Sequence, residues 1–243
     1  MDERGAGLSL SEAPRSTRAS VRLALVLRSV LVSPGVGFQS ALTAARRRER
    51  IGQTRTEGLA PFVLSAFGGA ALMLLWLKLA GMFEWRSVGP RDYSDDYLMV
   101  ALGAGAVFGV AAQVASAAPS TRAAQWLGGK VRSVDLRIVW GAAAFPQVFV
   151  LLILFPLDLL IAGPQTFMTE PLGDSLATAW AALSIALQTA VALWSLALYV
   201  RGVEVATGLT KLRAALVAAV AGLGLAFVCA LVVAPAAVAA GAL

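Results

Sequence analysis

The chain has 243 residues, of which 58% are hydrophobic and 14% are charged, and its net charge at pH 7 is +6. A mean hydropathy of +0.76 is typical of a membrane protein and excludes an ordinary soluble domain. The excess of basic residues does not indicate nucleic-acid binding, because no basic segment is interleaved with aromatic residues.

The residues that most often carry catalysis or metal binding are missing from the sequence. It contains no histidine, and its single cysteine, Cys229, can form neither an intrachain disulfide nor a thiolate cluster. No Walker loop, GxSxG elbow or HExxH motif occurs. We therefore expect a non-enzymatic protein with no catalytic residues, no cofactor and no metal.

The first 60 residues are predicted to form a tail on the cytoplasmic side of the membrane. Residues 1–19 lack apolar periodicity and should be disordered. Residues 20–60 form an amphipathic basic region, which begins with the stretch 20–32. That stretch is too short to span a bilayer, so we expect a helix lying in the membrane interface.

A second helix of the tail is expected to start at Ser33 and Pro34, which suit a helix cap and first turn. It has an apolar stripe and ends in a run of arginines, which suit an anionic leaflet at about 1 kcal/mol per charge. These arginines are a candidate site for anionic lipid or an acidic partner, or charge that only sets topology. The stripe consists of Phe38, Leu42 and Ala45, and the candidate binding residues are Arg22, Arg28, Arg46, Arg47, Arg48 and Arg50.

Five apolar segments follow the tail, each long enough to cross a hydrocarbon core of about 30 Å as a helix rising about 1.5 Å per residue. The sequence therefore predicts an all-α fold, with a bundle of five transmembrane helices over residues 61–241. The predicted spans are 61–83, 97–118, 138–162, 176–200 and 214–241.

Charged residues between the spans predict the orientation of the chain. Seventeen lysines and arginines fall in the tail and in the connections 119–137 and 201–213, whereas only Arg86 and Arg91 fall in the other two connections. Basic residues in short loops stay in the cytoplasm. We therefore expect a cytoplasmic N-terminus and an outer C-terminus. The Arg- and Ala-rich composition favours a bacterial chain in the inner (plasma) membrane.

Lys78 and Asp158 are the two ionisable residues well inside the apolar segments. Lys78 lies five residues before the end of the first span and Asp158 four before the end of the third, so both should lie at nearly the same depth. An ion pair would offset part of the cost of burying two charges. The alternative is that each side chain reaches the surface separately.

Small residues and prolines predict the shape and packing of the spans. Pro146 and Pro156 each remove a backbone donor within the third span and are expected to kink it. Gly105 and Gly109 have the GxxxG spacing that allows two helices to approach closely.

Three short stretches carry a resemblance to a known family: SPGVGF at 33–38, WGAAAFPQVF at 140–149 and LYVRGVEVATGLTKLRAAL at 198–216. With the basic tail and five spans, they resemble the Yip domain family, the Ypt/Rab-interacting membrane proteins, from about Ser33 onward. The resemblance implies a non-enzymatic membrane protein. In eukaryotes the family is associated with small GTPases and vesicle trafficking, and a bacterial member would lack that GTPase partner.

Two classes of function follow from these patterns. A membrane adaptor or organiser would bind anionic lipid headgroups, other membrane proteins or a second copy of the chain at its cytoplasmic face. A transporter or permease subunit would instead need a polar path at mid-depth. Besides Lys78 and Asp158, the candidates for such a path are Gln113, Gln147, Ser184, Gln188 and Thr189. This set is small, and five spans do not divide into two equal repeats, so the adaptor class is favoured.

Overall fold

A computed structural model describes residues 25–50, 59–82, 95–167 and 175–223 of the chain. All regular elements in these ranges are helices, which confirms the all-α prediction. They are α1 (25–32), α2 (Pro34–Arg50), α3 (Leu59–Met82), α4 (Asp95–Trp126), α5 (Ser133–Ala143), α6 (Pro146–Phe149), a π-helical segment (Val150–Leu154), α7 (Phe155–Ile161), a 3₁₀ turn (Pro164–Phe167), α8 (Ser175–Thr207) and α9 (211–223).

Four helical stretches of the described chain are long and apolar enough to cross a membrane. They correspond to the first four predicted spans and cover Leu59–Ala80, Asp96–Trp126, Ser133–Ile161 and Ser175–Thr207. Large apolar side chains remain exposed along them, as expected for surfaces that face lipid; examples are Trp76, Val107, Leu152 and Leu187. Most of the predicted fifth span lies outside the described residues, which end at residue 223.

Two of these helices continue past the predicted ends of their spans. α4 extends beyond Ala118 to Trp126, with Pro119 inside it. Pro119 has no N–H and cannot bond to the carbonyl four residues before it. The hydroxyls of Ser120 and Thr121 bond to backbone carbonyls one turn earlier, at Ser116 and Ala117. α8 similarly continues beyond residue 200 to Thr207. Hydropathy marks where a span leaves the hydrocarbon, but a helix can continue into the polar region.

Both prolines of the third stretch lie at irregularities of the backbone. Pro146 follows a turn at residues 144–145 and occupies the first position of α6, where its missing N–H costs no helical bond. Pro156 follows the π-helical segment, in which the Phe155 N–H bonds to Val150 O, five residues earlier. A widened turn of this kind accommodates a proline that cannot donate to the preceding turn.

The tail helices pack on one end of the bundle. We call this end, which includes the start of α3, the end of α4 and the end of α8, the tail end, and the opposite end the far end. Val30, Phe38 and Leu42 are buried in the same apolar cluster as Val139 and Val203. Val30, from the stretch 20–32 that was expected to lie in the membrane interface, therefore packs against protein, as do Phe38 and Leu42 of the predicted apolar stripe.

Glycines allow α3 and α4 to cross in direct backbone contact. A Cβ added to Gly69 would overlap the backbone of Gly105 and Gly109, and one added to Gly109 would overlap the backbone of Ser65 and Gly69. The GxxxG pair of α4 is thus used within the chain, against a glycine of α3.

Candidate functional site

A buried polar cluster joins three spans in the far half of the bundle. Its centre is Lys78 on α3, whose ammonium group lies 2.5 Å from Asp158 Oδ2 on α7. The same ammonium donates hydrogen bonds to Ser184 Oγ at 2.8 Å and Gln188 Oε1 at 2.9 Å on α8. The ammonium therefore makes two hydrogen bonds to neutral side chains and one close ionic contact with a carboxylate.

The partners of Lys78 are themselves held in place. Trp180 Nε1 donates to Asp158 Oδ1 at 3.0 Å, and Gln188 Nε2 donates to the backbone carbonyl of Ala71 at 2.6 Å. The ring of Phe167 lies over the ammonium, with its centroid 5.6 Å away. Hydrogen bonds and the ion pair therefore link α3, α7 and α8, and the ring of Phe167 brings the 3₁₀ turn into contact with the same ammonium.

The burial of this cluster determines what it can do chemically. The exposed fraction of the side chain is 1% for Lys78 and 0% for Asp158. A buried ion pair that is also hydrogen-bonded to a neighbouring helix holds the helices together, whereas a transport site needs groups free to bind cargo. This geometry favours a structural role, in which the cluster holds α3, α7 and α8 together, over a cargo-binding role. Within the described residues no group of three or more His, Cys, Asp and Glu side chains could hold a metal ion.

The other polar residues considered for a transport path do not form one. Gln113 Nε2 donates to the carbonyl of Arg137 at 2.8 Å, and Gln147 Nε2 donates to Ser195 Oγ at 3.3 Å. Thr189 is exposed on the outer surface of α8. Each contact joins a different pair of helices, so these side chains are scattered through the bundle.

A glycine creates the contact between α2 and the bundle at the tail end. A Cβ added to Gly202 of α8 would overlap the side chains of Val139 and Phe38. The space beside Gly202 is therefore filled by the aromatic ring of the tail and by α5. This contact joins two of the three stretches that carried the family resemblance, because Phe38 belongs to SPGVGF and Gly202 to LYVRGVEVATGLTKLRAAL.

Asp135 pairs with arginines at the same end. It lies in the first turn of α5, where a negative charge is favourable, and is 1% exposed. Arg46 Nη2 lies 3.1 Å from Asp135 Oδ2, and Arg132 Nη2 lies 3.6 Å from Oδ1. One of the four clustered arginines is thus part of an ion pair that holds α2 to α5, although half of its side chain stays exposed.

The described surface of the tail end is strongly basic. Its two acids with described side chains are both paired: Asp135 as above, and Glu204 with Arg201 at 2.5 Å. Arg28 is exposed, while Arg22 and the side chains of Arg47, Arg48 and Arg50 lie outside the described residues. Further exposed basic residues at this end, which the sequence-based choice of site had not included, are Arg122, Lys130, Lys211 and Arg213.

These features define a multi-pass integral membrane protein with a helical tail folded onto one end of its bundle. A model of the Yip1 domain matches residues 28–234, and the chain therefore belongs to the Yip1 domain family. This confirms the resemblance drawn from the motifs. No significant match was found among curated proteins or among solved structures.

Proposed function

We propose that this protein is a membrane organiser that acts by binding, and that its contact surface is the basic tail end. Its ligands are anionic lipid headgroups and acidic segments of other membrane proteins. The observation that carries the proposal is the charge of this end: exposed basic residues surround two described acids that are already paired.

The rigidity of the tail supports the same function. Phe38 and Leu42 fix α2 on the bundle, and the Arg46–Asp135 pair lies near its C-terminal end. Basic residues held in fixed positions lose less conformational entropy on binding than those of a free tail. The positive charge is also placed next to the ends of spans, where anionic headgroups would lie.

The transporter alternative has weaker support. It would use Lys78 and Asp158 as a cargo site, but the acceptors around Lys78 are already engaged. No described feature of this cluster favours cargo binding over its structural role of holding the helices together.

We further propose that the tail end faces the cytoplasm of a bacterial cell and that the far end faces outward. In a chain with Cys229 replaced by serine, thiols introduced at Ser94 and Thr169 should react with an impermeant maleimide added to intact cells. A thiol at Gln125, exposed near the end of α4, should react only after permeabilisation. The opposite pattern of labelling would invert the proposed topology.

Lipid selectivity tests the proposed contact surface. We expect the full-length protein, reconstituted in mixed bilayers, to associate more with spin-labelled phosphatidylglycerol than with spin-labelled phosphatidylcholine. Replacing Arg122, Lys130 and Lys211 together with glutamine should reduce this preference severalfold, since basic residues near the membrane surface attract anionic headgroups. Raising the salt concentration should weaken it in the same way.

The matched control is Gln125→Asn, which changes an exposed residue of the same end without altering its charge. It should leave lipid selectivity unchanged. A preference for phosphatidylglycerol that survives both high salt and the triple neutralisation would contradict the assignment of the tail end as the binding surface.

A further inference from the structure

A cavity of about 200 Å³ lies between the spans, separate from the Lys78 cluster and from the basic tail end. Its wall is formed by α3, α4, α5, α6, α8 and α9, and much of it consists of glycine and alanine. These small residues leave the space open, since they bring backbones together without filling the gap between them. A dry apolar cavity of about 150 Å³ is large enough to bind benzene, so this one can hold an apolar group of at least that size.

The cavity opens toward the lipid-facing surface. Three of its lining residues, Leu72, Phe108 and Leu196, are 45%, 37% and 53% exposed, respectively. They lie on α3, α4 and α8, within stretches long and apolar enough to span a membrane. An occupant would therefore enter sideways from the hydrocarbon phase and would itself be largely apolar.

Two polar atoms in the wall have no partner. Ser65 Oγ and Gln147 Oε1 are buried without a hydrogen bond, although both residues line the cavity and are only 1% and 2% exposed. The amide of Gln147 is oriented by the bond from its Nε2 to Ser195 Oγ at 3.3 Å, and Ser195 also lines the cavity. Buried polar atoms are rarely left unsatisfied, because each costs free energy without a partner.

We infer that this cavity binds a membrane-soluble alcohol, a molecule with an apolar body and one hydroxyl group, such as a lipid with a free hydroxyl. The body fills the space between the glycines and alanines. The hydroxyl donates a hydrogen bond to Gln147 Oε1, and Ser65 provides a second polar group in the same wall. This site does not include the tail end. A negative result for the cavity would therefore not contradict the proposed function, and a negative result for the tail end would not contradict the cavity site.

The test uses a long-chain alcohol carrying a diazirine, with the matched diazirine alkane as the comparison probe, and the full-length protein in bilayers. We expect the alcohol to label peptides that contain lining residues saturably, and an excess of 1-dodecanol to compete with it. The alkane should label these peptides about fivefold less at equal concentration, because it lacks the hydrogen bond.

Variants distinguish the cavity from the general lipid-facing surface. Ala192→Phe fills the cavity and should abolish saturable labelling, whereas Ala190→Phe, the same change at an exposed position two residues earlier, should preserve it. Gln147→Leu should lower labelling by the alcohol to that of the alkane. Equal labelling by both probes, spread over the lipid-facing surface and insensitive to Ala192→Phe, would overturn the inference and leave ordered water as the occupant.

Discussion

Replacing Asp158 with alanine is expected to lower the free energy of unfolding by about 3–5 kcal/mol, because it leaves the buried ammonium of Lys78 without its counter-charge. The remaining acceptors, Ser184 and Gln188, are neutral and satisfy only two of the three ammonium donors. Trp180 also loses its acceptor. Unfolding in mixed detergent micelles, followed by circular dichroism, would measure the effect.

The double change Lys78→Met with Asp158→Ala should destabilise the protein less than Asp158→Ala alone, since no charge is then stranded. A double-mutant cycle gives the coupling between the two positions. Lys130→Met is the matched control, because Lys130 is an exposed lysine and its loss should change stability by less than about 0.5 kcal/mol. Additive effects of the two single changes would mean that the ion pair contributes no coupling.

The second large effect is expected at Gly109, where even one methyl group has no room. Gly109→Ala should lower the free energy of unfolding by about 1–3 kcal/mol, because the new Cβ would overlap the backbone of Ser65 and Gly69 and force α3 and α4 apart. The same detergent unfolding measurement would detect this loss.

Gly103 on the same helix provides the matched control. A Cβ added there would meet nothing within 4 Å. Gly103→Ala should therefore raise stability by up to about 1 kcal/mol through the higher helix propensity of alanine. Equal effects of the two substitutions would contradict the close approach of α3 and α4 at Gly109.

Positions along the spans could be predicted from the sequence, but contacts around each helix could not. Counting from the span ends put Lys78 and Asp158 at one depth, and they lie in contact. The same count cannot tell which side of α8 faces them, because its apolar residues are spread around the whole helix. The sequence therefore indicated Ser184 and Gln188 only as candidates for a polar path, without assigning them to Lys78, and it gave no reason to single out Trp180.

The tail illustrates a second limit of prediction from sequence. The stripe of Phe38 and Leu42 was visible in the sequence, but an apolar stripe looks the same whether it meets lipid or protein. Its actual neighbour depends on Gly202 and Val139, which are distant in the chain. For the same reason the pairing of Arg46 with Asp135 could not be anticipated from a run of arginines that also suits a membrane surface.

The contact between Phe38 and α8 also constrains the order of events during biosynthesis. Phe38 is made long before Gly202, and at about 5–20 residues per second the delay is about 8–30 s. During that interval the docking position of the ring is incomplete, because the part of α8 that contains Gly202 has not yet been synthesised. Completion of the tail contact is therefore a late step, and a nascent chain that stops before Gly202 leaves Phe38 and Leu42 more exposed to chaperones and proteases than the finished chain does.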